Sequence, residues 1–445
     1  MSFHPSVMIG DAPSGIHVWG DTRSLFALQQ RECPDGRRPV LAPLRVNERL
    51  ARALDALEGR DLERLLQQGP ASCGVIRFLP ADQLLPEEEP WPALGSLRET
   101  PSSRSPTADA QIDRLEAELG AFLGRHMIAT SSSAGGMIIA LSALGVGPGD
   151  EVLLPANSFI GTENAILACG ATPVLVDSDP CDLNLDPACI EEKITRRTRA
   201  IFAVDNHGKA ANVAAIRQVA DTHGLKVVLD ACQSLGVMES MRHADAAVYS
   251  LNVYRNFGAC SKGGAIAVAD LDLARRCRSS SDSTQGSETK AARMHPFGST
   301  SRLDGTQAAV ASRRLPHLTL NNLRRMLLAR RYLRALEPLA TRGRLLLPAF
   351  SDDRGYRIFT VQVLPPWSRD EIRRRLLERS RVETAVYYPV LTHLQPTQHH
   401  RRLFEGVSLP QVETAQARIL SLPLHNNLTL ASQDRVVAAL EAAFA

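Results

Sequence analysis

Four short segments carry side chains whose types and spacing could do chemistry. Ser131-Ser132-Ser133-Ala134-Gly135-Gly136 is a run of small residues directly before a predicted helix. Backbone N–H groups at a helix start, unhindered by side chains, form a cradle for a phosphate, and serine hydroxyls add donors. The same run also reads as a plain helix cap. Asp230-Ala231-Cys232-Gln233 follows a predicted strand, Lys226 to Leu229, at the carboxyl end where ligands of parallel sheets sit. A carboxylate there can keep a ring nitrogen protonated, as an electron-sink pyridine requires, or it can cap a helix. Phe159, in Ala156-Asn157-Ser158-Phe159-Ile160-Gly161-Thr162, lies just past another strand end and could stack on a planar ring or fill the core. Tyr249 to Gly258, followed by Lys262-Gly263-Gly264, is a strand entering a polar loop and a glycine turn, and a hairpin accounts for it equally well. Chemistry that needs a lysine amine has few candidates. The chain holds five lysines (Lys193, Lys209, Lys226, Lys262, Lys290) among 51 basic residues.

The elements that must position these side chains follow from the apolar pattern. A helix with Ile112, Leu115, Leu119 and Phe122 on one face precedes the serine run. Short apolar strands are expected at Glu151 to Pro155, Thr172 to Val176, Ala200 to Val204, Lys226 to Leu229, Ala246 to Ser250 and Gly264 to Val268. Strands of this kind alternating with helices indicate an α/β fold, a mainly parallel sheet flanked by helices. From about Leu315 an Arg/Leu-rich helix leads into Tyr356 to Val363, a helix at Asp370 to Arg379 and a final helix beyond Leu428, read as a smaller C-terminal α+β domain. Before the α/β region, a helix is expected near Asn47, and Ser96 to Thr107 is Ser/Thr/Pro-rich like a linker. The expected division is 1–107, an N-terminal extension and linker, 108–314, the large domain, and 315–445, the small domain.

Composition bounds the partners. At 445 residues, 44% hydrophobic, the chain is too long for one core and fits a folded multidomain protein. A net charge of +3 gives no reason to expect nucleic acid or membrane. No stretch approaches the roughly 18 apolar residues of a membrane helix, and the opening residues do not read as a secretory signal, so a cytoplasmic protein is expected. The eight cysteines form no C-x-x-C pair and no His cluster at metal spacing, so no metal site is expected.

Each segment alone is a weak signal, but their order is informative. With Leu144-Gly-Val-Gly-Pro-Gly-Asp-Glu-Val152, Gly170-Ala-Thr-Pro-Val-Leu-Val-Asp177, Ile194 to Ile201, Ser301-Arg-Leu-Asp304, Tyr387-Tyr-Pro389 and Leu420-Ser-Leu-Pro-Leu424, the chain from Ile112 onward resembles the DegT/StrS family of sugar aminotransferases. That resemblance implies the type I fold of pyridoxal phosphate (PLP) transferases. It implies that Asp230 pairs with the pyridine nitrogen, Gln233 approaches the ring hydroxyl, Phe159 stacks on the ring and Ser250 binds the cofactor phosphate. Where the family's phosphate loop reads Ser-Gly-Thr, this chain has Ser132-Ser133-Ala134, so Ser133, Ala134 and Gly135 keep backbone donors while a hydroxyl is lost at Ala134. Thr300 stands where an Asn usually reaches the phosphate from the partner subunit.

The largest departure is Arg255, where the family has the Schiff-base lysine. A guanidinium stays charged and cannot form that linkage or shuttle its proton. Related sugar 3-dehydratases with a His at this position use pyridoxamine phosphate (PMP). The resemblance therefore implies PLP or PMP held noncovalently, a keto-sugar or cyclitol-like small-molecule substrate from a secondary-metabolite or polysaccharide pathway, and a homodimer. Arg255 would serve as a fixed cation for a phosphate, carboxylate or developing oxyanion. A catalytically inactive homologue acting as scaffold or regulatory partner is the alternative, on account of the changes at Ala134, Arg255 and Thr300.

Overall fold

Pentapeptides such as Glu151-Val-Leu-Leu-Pro155 and Lys226-Val-Val-Leu-Asp230 lack polar alternation, so both faces of their sheet must be covered. The computed structural model describes residues 76–78, 106–237, 239–281, 301–351 and 354–445. Its large sheet is built from β1 (His126–Thr130), β2 (Glu151–Pro155), β3 (Thr172–Val176), β4 (Thr198–Val204), β5 (Lys226–Asp230), β6 (Ala246–Ser250) and β7 (Gly264–Val268). Their order is β1-β7-β6-β5-β4-β2-β3. β2 to β6 are parallel, and β7 runs antiparallel to both its neighbours, β6 and β1.

Alternate residues of β4 show how the layers close. Ile201 and Ala203 enter one core with Ile112, Leu115, Leu119 and Phe122 of helix Pro106–Leu123 and with Val213 and Ile216 of helix Val213–His223. Ala200 and Phe202 enter the opposite core with Met137 and Leu141 of helix Ser133–Ala143 and Leu273 of helix Leu271–Ser281. The fold is the expected α/β sandwich, and the six anticipated strands are present. β4 starts two residues before the expected Ala200. β1 was not anticipated: His126 to Thr130 pairs only with β7, and as a five-residue edge strand beside a helix it lacks the long apolar run that marks the others.

The second sheet holds β8 (Leu345–Leu346), β9 (Phe359–Val363) and β10 (Ile419–Leu422), antiparallel in the order β10-β9-β8. It packs with helices Leu318–Thr341, Arg369–Ser380 and Leu430–Ala443 around Tyr332, Phe359, Leu376 and Leu440. Leu391, Phe404, Leu409 and Val412 instead join the core of the large sheet, so this C-terminal stretch spans both bodies. The expected helix near Asn47 lies outside the described residues, as does Ser96 to Thr107 except its last two residues, which open helix Pro106–Leu123. Ile76 pairs with Val382 through Ile76 N–H to Arg381 O at 2.9 Å and Glu383 N–H to Ile76 O at 2.9 Å, and its side chain is buried in the small core. No described helix is long and apolar enough to cross a membrane.

Candidate active site

Asp230 ends β5 and is 5% exposed. Thr162 Oγ1 donates to its Oδ2 at 2.8 Å, and the Cys232 amide donates to its Oδ1 at 3.1 Å. Turns rather than a helix follow it, so the helix-cap reading fails. A carboxylate pinned from two sides at the carboxyl edge of a parallel sheet is fixed in place to meet a cationic group. Thr162 lies in helix Ile160–Ala168, whose N-cap is Phe159. Phe159 makes no side-chain cap bond and is 46% exposed, which rules out a core role, and its ring lies 6.2 Å from that of Tyr388. One helix start thus presents both an aromatic face and the clamp on Asp230. Gln233 Nε2 makes a long contact of 3.5 Å with the Tyr388 hydroxyl, and its buried Oε1 has no partner. A buried amide oxygen left unmatched marks a place where a ligand donor fits.

The small-residue run is both a cap and a cradle. Ser132 accepts from Gly135 N–H at 3.1 Å and caps helix Ser133–Ala143, and Gly136 N–H donates to Ser132 O at 3.0 Å, so Ser133 and Ala134 carry the first-turn N–H groups that the cap does not take up. Gly264 pairs with Thr130 on one side and with Ser250 on the other, and a Cβ on it would stand 2.5 Å from the Ser132 carbonyl carbon. Only glycine lets the backbone between Ser132 and Ser250 close up in this way. Ser250 Oγ accepts a long bond from the Asn252 amide at 3.4 Å. The Ser133 hydroxyl meets the buried Cys232 thiol, whose pKa burial pushes up. Ser131 is bonded to Ser301 through N–H to O at 2.7 Å and Oγ to Oγ at 2.9 Å. Thr300 itself lies outside the described residues.

Arg255 sits in the loop after β6, its amide bonded to Asn252 O at 2.9 Å. Its guanidinium makes no hydrogen bond or ion pair with a described residue, but its charge acts on Cys232 and Tyr388 against the upward push of burial on both. Arg255 therefore faces the same space as Asp230 and Gln233. No described lysine takes its place. Lys193 pairs with Glu192 at 3.1 Å, Lys209 Nζ donates to Ser351 at 3.2 Å, and Lys226 and Lys262 are exposed. Lys290 lies outside the described residues.

Several residues that complete the site escaped the sequence reading. Asn157, fully buried, accepts from the Tyr388 amide at 3.1 Å and so ties the loop after β2 to the small domain. His207, in a left-handed conformation at φ 55°, bonds Tyr387 O through Nε2 at 3.0 Å. Burial, with Arg354 adding, pulls its pKa down to about 4, so the neutral ring is the donor. Asp205 accepts from Ser240 Oγ at 2.8 Å, Ala211 N–H at 2.8 Å and Ser234 Oγ, which fixes the turn that carries Gln233. Burial raises its pKa to about 6. The signal available for Asn157 and Thr162 was their polarity within an apolar strand-to-helix junction around Phe159. For Tyr388 it was the Tyr-Tyr-Pro run itself.

A parallel sheet with one antiparallel strand, a pinned carboxylate and glutamine at its carboxyl edge, a helix-start cradle and a smaller C-terminal sheet together define a transferase of the PLP fold type I class. Residues 94–441 match the model of the DegT/DnrJ/EryC1/StrS aminotransferase family, and the chain belongs to that family. It is 38% identical over 408 residues, 91% of this chain and 92% of the relative, to the 3-oxo-glucose-6-phosphate:glutamate aminotransferase of Bacillus subtilis. The crystal structure of NtdA from Bacillus subtilis with bound cofactor PMP superposes with a TM-score of 0.82 at 37% identity, covering 88% of this chain and 91% of that one. DesV of S. venezuelae gives a TM-score of 0.74 at 34% identity, covering 83% and 99%.

Proposed function

We propose that this protein holds PMP or PLP noncovalently and uses it on a keto-sugar or cyclitol-like substrate. The observation that supports the reading is that Asp230, Gln233 and Phe159, which the family resemblance assigns to the ring, lie around the loop in which Arg255 stands where the family has its lysine. The residues present fit the group. Asp230 would meet the pyridine nitrogen, Gln233 would use its unmatched Oε1 on the ring hydroxyl, and Phe159 would cover one face. Ser250 and the Ser133 and Ala134 amides would take the phosphate, the expected Gly135 amide being already bonded to Ser132 Oγ. When bound, such a cofactor supplies an electron sink or an amino group.

The chain's own residues then do two things. The Asp230 carboxylate, oriented by Thr162, holds a proton on the ring nitrogen. Arg255 keeps a fixed positive charge beside the reacting group, where it stabilises negative charge that develops on the substrate. It cannot take over the lysine's part as a proton carrier, because its guanidinium does not release a proton near neutral pH. The substrate class is suggested by the phosphosugar aminotransferase to which the chain is similar. A homodimer fits the family pattern of sites completed across a twofold axis, and light scattering at micromolar concentration tests it.

The direct test is equilibrium binding of PMP and PLP to the purified full chain, with and without a 3-keto hexose phosphate. Reversible micromolar binding of either form supports the proposal. Absence of binding to either form overturns it and leaves a non-catalytic scaffold or regulatory partner.

A further inference from the structure

We propose that Arg357 and Arg255 together bind an oxyanion carried by the substrate, a phosphate or a carboxylate, next to the cofactor pocket. The inference rests on the reading of that pocket given above and names the charged group it accepts. Arg357 stands two residues before β9 and is only 3% exposed. Its Nε and Nη1 are buried without a hydrogen-bond partner, and its guanidinium forms no ion pair with a described residue. Guanidinium groups are permanently charged forks of five donors, and taking one out of water without an anion is costly. Arg325, also fully buried, keeps an unmatched Nε but is held by backbone carbonyls. Arg325 donates from Nη1 to Leu424 O at 2.9 Å and reaches Arg357 O at 3.4 Å. Arg357 differs from Arg325 in that two of its guanidinium nitrogens, Nε and Nη1, are buried without a partner.

The backbone brings Arg357 to Arg255. Asn256, next to Arg255, donates from Nδ2 to Gly355 O at 2.7 Å and to Asn322 Oδ1 at 3.0 Å, so the two loops are tied together. Gly208, at φ 79°, lets the chain pass between Gln233 and Arg357; a Cβ there would stand 2.8 Å from Gln233 O and 3.1 Å from the Arg357 amide. Tyr356 adopts φ 41°, a turn that sets the direction of the residue after it. The charges that act on Arg357 include Arg255, which opposes its own, and the hydroxyls of Tyr387 and Tyr388, which favour it; Arg325 lies near as a further cation, and Arg357 makes no ion pair with a described carboxylate. Burial first, and then the Arg255 charge, pull its pKa down to about 10. Two cations that repel each other, one of them fully buried and unpaired, are what a doubly charged or forked oxyanion resolves. Phosphate and carboxylate share this chemistry.

The test is calorimetric titration of the full-length protein and its Arg357→Met and Arg357→Lys variants with glucose 6-phosphate, glucose and L-glutamate. PMP affinity is measured on the same samples. We expect Arg357→Met to weaken one charged probe at least about tenfold and Arg357→Lys to weaken it less, since lysine keeps the charge and loses the fork. Glucose should show no difference. Loss confined to glucose 6-phosphate identifies a sugar phosphate, and loss confined to glutamate identifies the carboxylate of an amino donor. Probe-free Arg357→Met should also melt above the wild type, because an unpaired buried charge is gone. The effective probe should raise the melting temperature of the wild type only. The inference is overturned if neither probe binds the wild type, or if Arg357→Met binds both as the wild type does. PMP affinity retained alongside either of those results overturns the anion site alone. PMP failing to bind, with probe binding still dependent on Arg357, overturns the cofactor reading and leaves the anion site standing.

Discussion

Arg255 changes what the site can do without changing how the site is built. The proposed ring contacts come from β5, from the helix start at Phe159 and from the turn after Asp230, while the proposed anchoring position lies in the loop after β6. Substitution in that loop leaves the others in place. Restoring an amine with Arg255→Lys should therefore give a borohydride-reducible PLP adduct on the peptide that contains residue 255, and the wild type should give none. Mass spectrometry of the reduced, digested protein reads the result, and an adduct on Lys262 or Lys209 in the wild type would contradict the assignment. Thr162 acts one bond away. Because its hydroxyl meets a buried carboxylate, Thr162→Val should cost about 2 kcal/mol of PMP affinity, roughly a thirtyfold loss, with folding intact by circular dichroism. At this scale Asp230, Gln233, Phe159, Ser250 and Arg255 were proposed from a resemblance carried by ordered motifs. Arg357 was not, because one arginine among so many in the chain carries no signal until its missing partner is seen in three dimensions.

The elements hold the site through close backbone approach more than through side-chain bonds. β7 threads between β1 and β6 with Gly264 where Ser132 and Ser250 converge. Gly264→Ala must push the Ser132 turn away or bend β7, a strain on the order of 1 to 3 kcal/mol. The expected outcome is a lowered melting temperature together with weakened PMP binding, whereas Gly147→Ala, at an open position, should change neither. An unchanged melting temperature for Gly264→Ala would mean that the cradle is looser than described. The interior strands were readable because parallel strands buried on both faces are continuous apolar runs. β1 and the two-residue β8 were not, since short edge strands take their conformation from pairing partners distant in sequence.

For the whole molecule, acid stability reports on buried groups around the site. The folded state keeps His207 neutral with a pKa near 4 against 6.5 unfolded, so its contribution is complete above pH 6.5 and is lost as pH falls toward 4. Asp205 has the opposite sign. Its folded pKa near 6 exceeds the unfolded 3.8, so its contribution is full below 3.8 and disappears as pH rises through 6. Denaturant unfolding across this range should show His207→Asn losing less stability than the wild type on acidification and Asp205→Asn losing more. Equal slopes in all three proteins would remove these buried groups from the account. The two-body organisation was legible from the change of pattern after Leu315, but the return of Leu391 to Val412 to the core of the large sheet was not, because contacts between distant segments leave no local periodicity. The proposal is that Asp230, Gln233, Phe159, Ser250 and the Ser133 loop hold a vitamin B6 cofactor without a covalent anchor. Equilibrium dialysis of the wild-type full chain against PMP, with and without borohydride treatment after PLP loading, tests it most directly. Micromolar binding that dialyses away completely, with no reduced adduct on any lysine, is expected; retention of a borohydride-fixed adduct, or no binding at all, would contradict noncovalent binding.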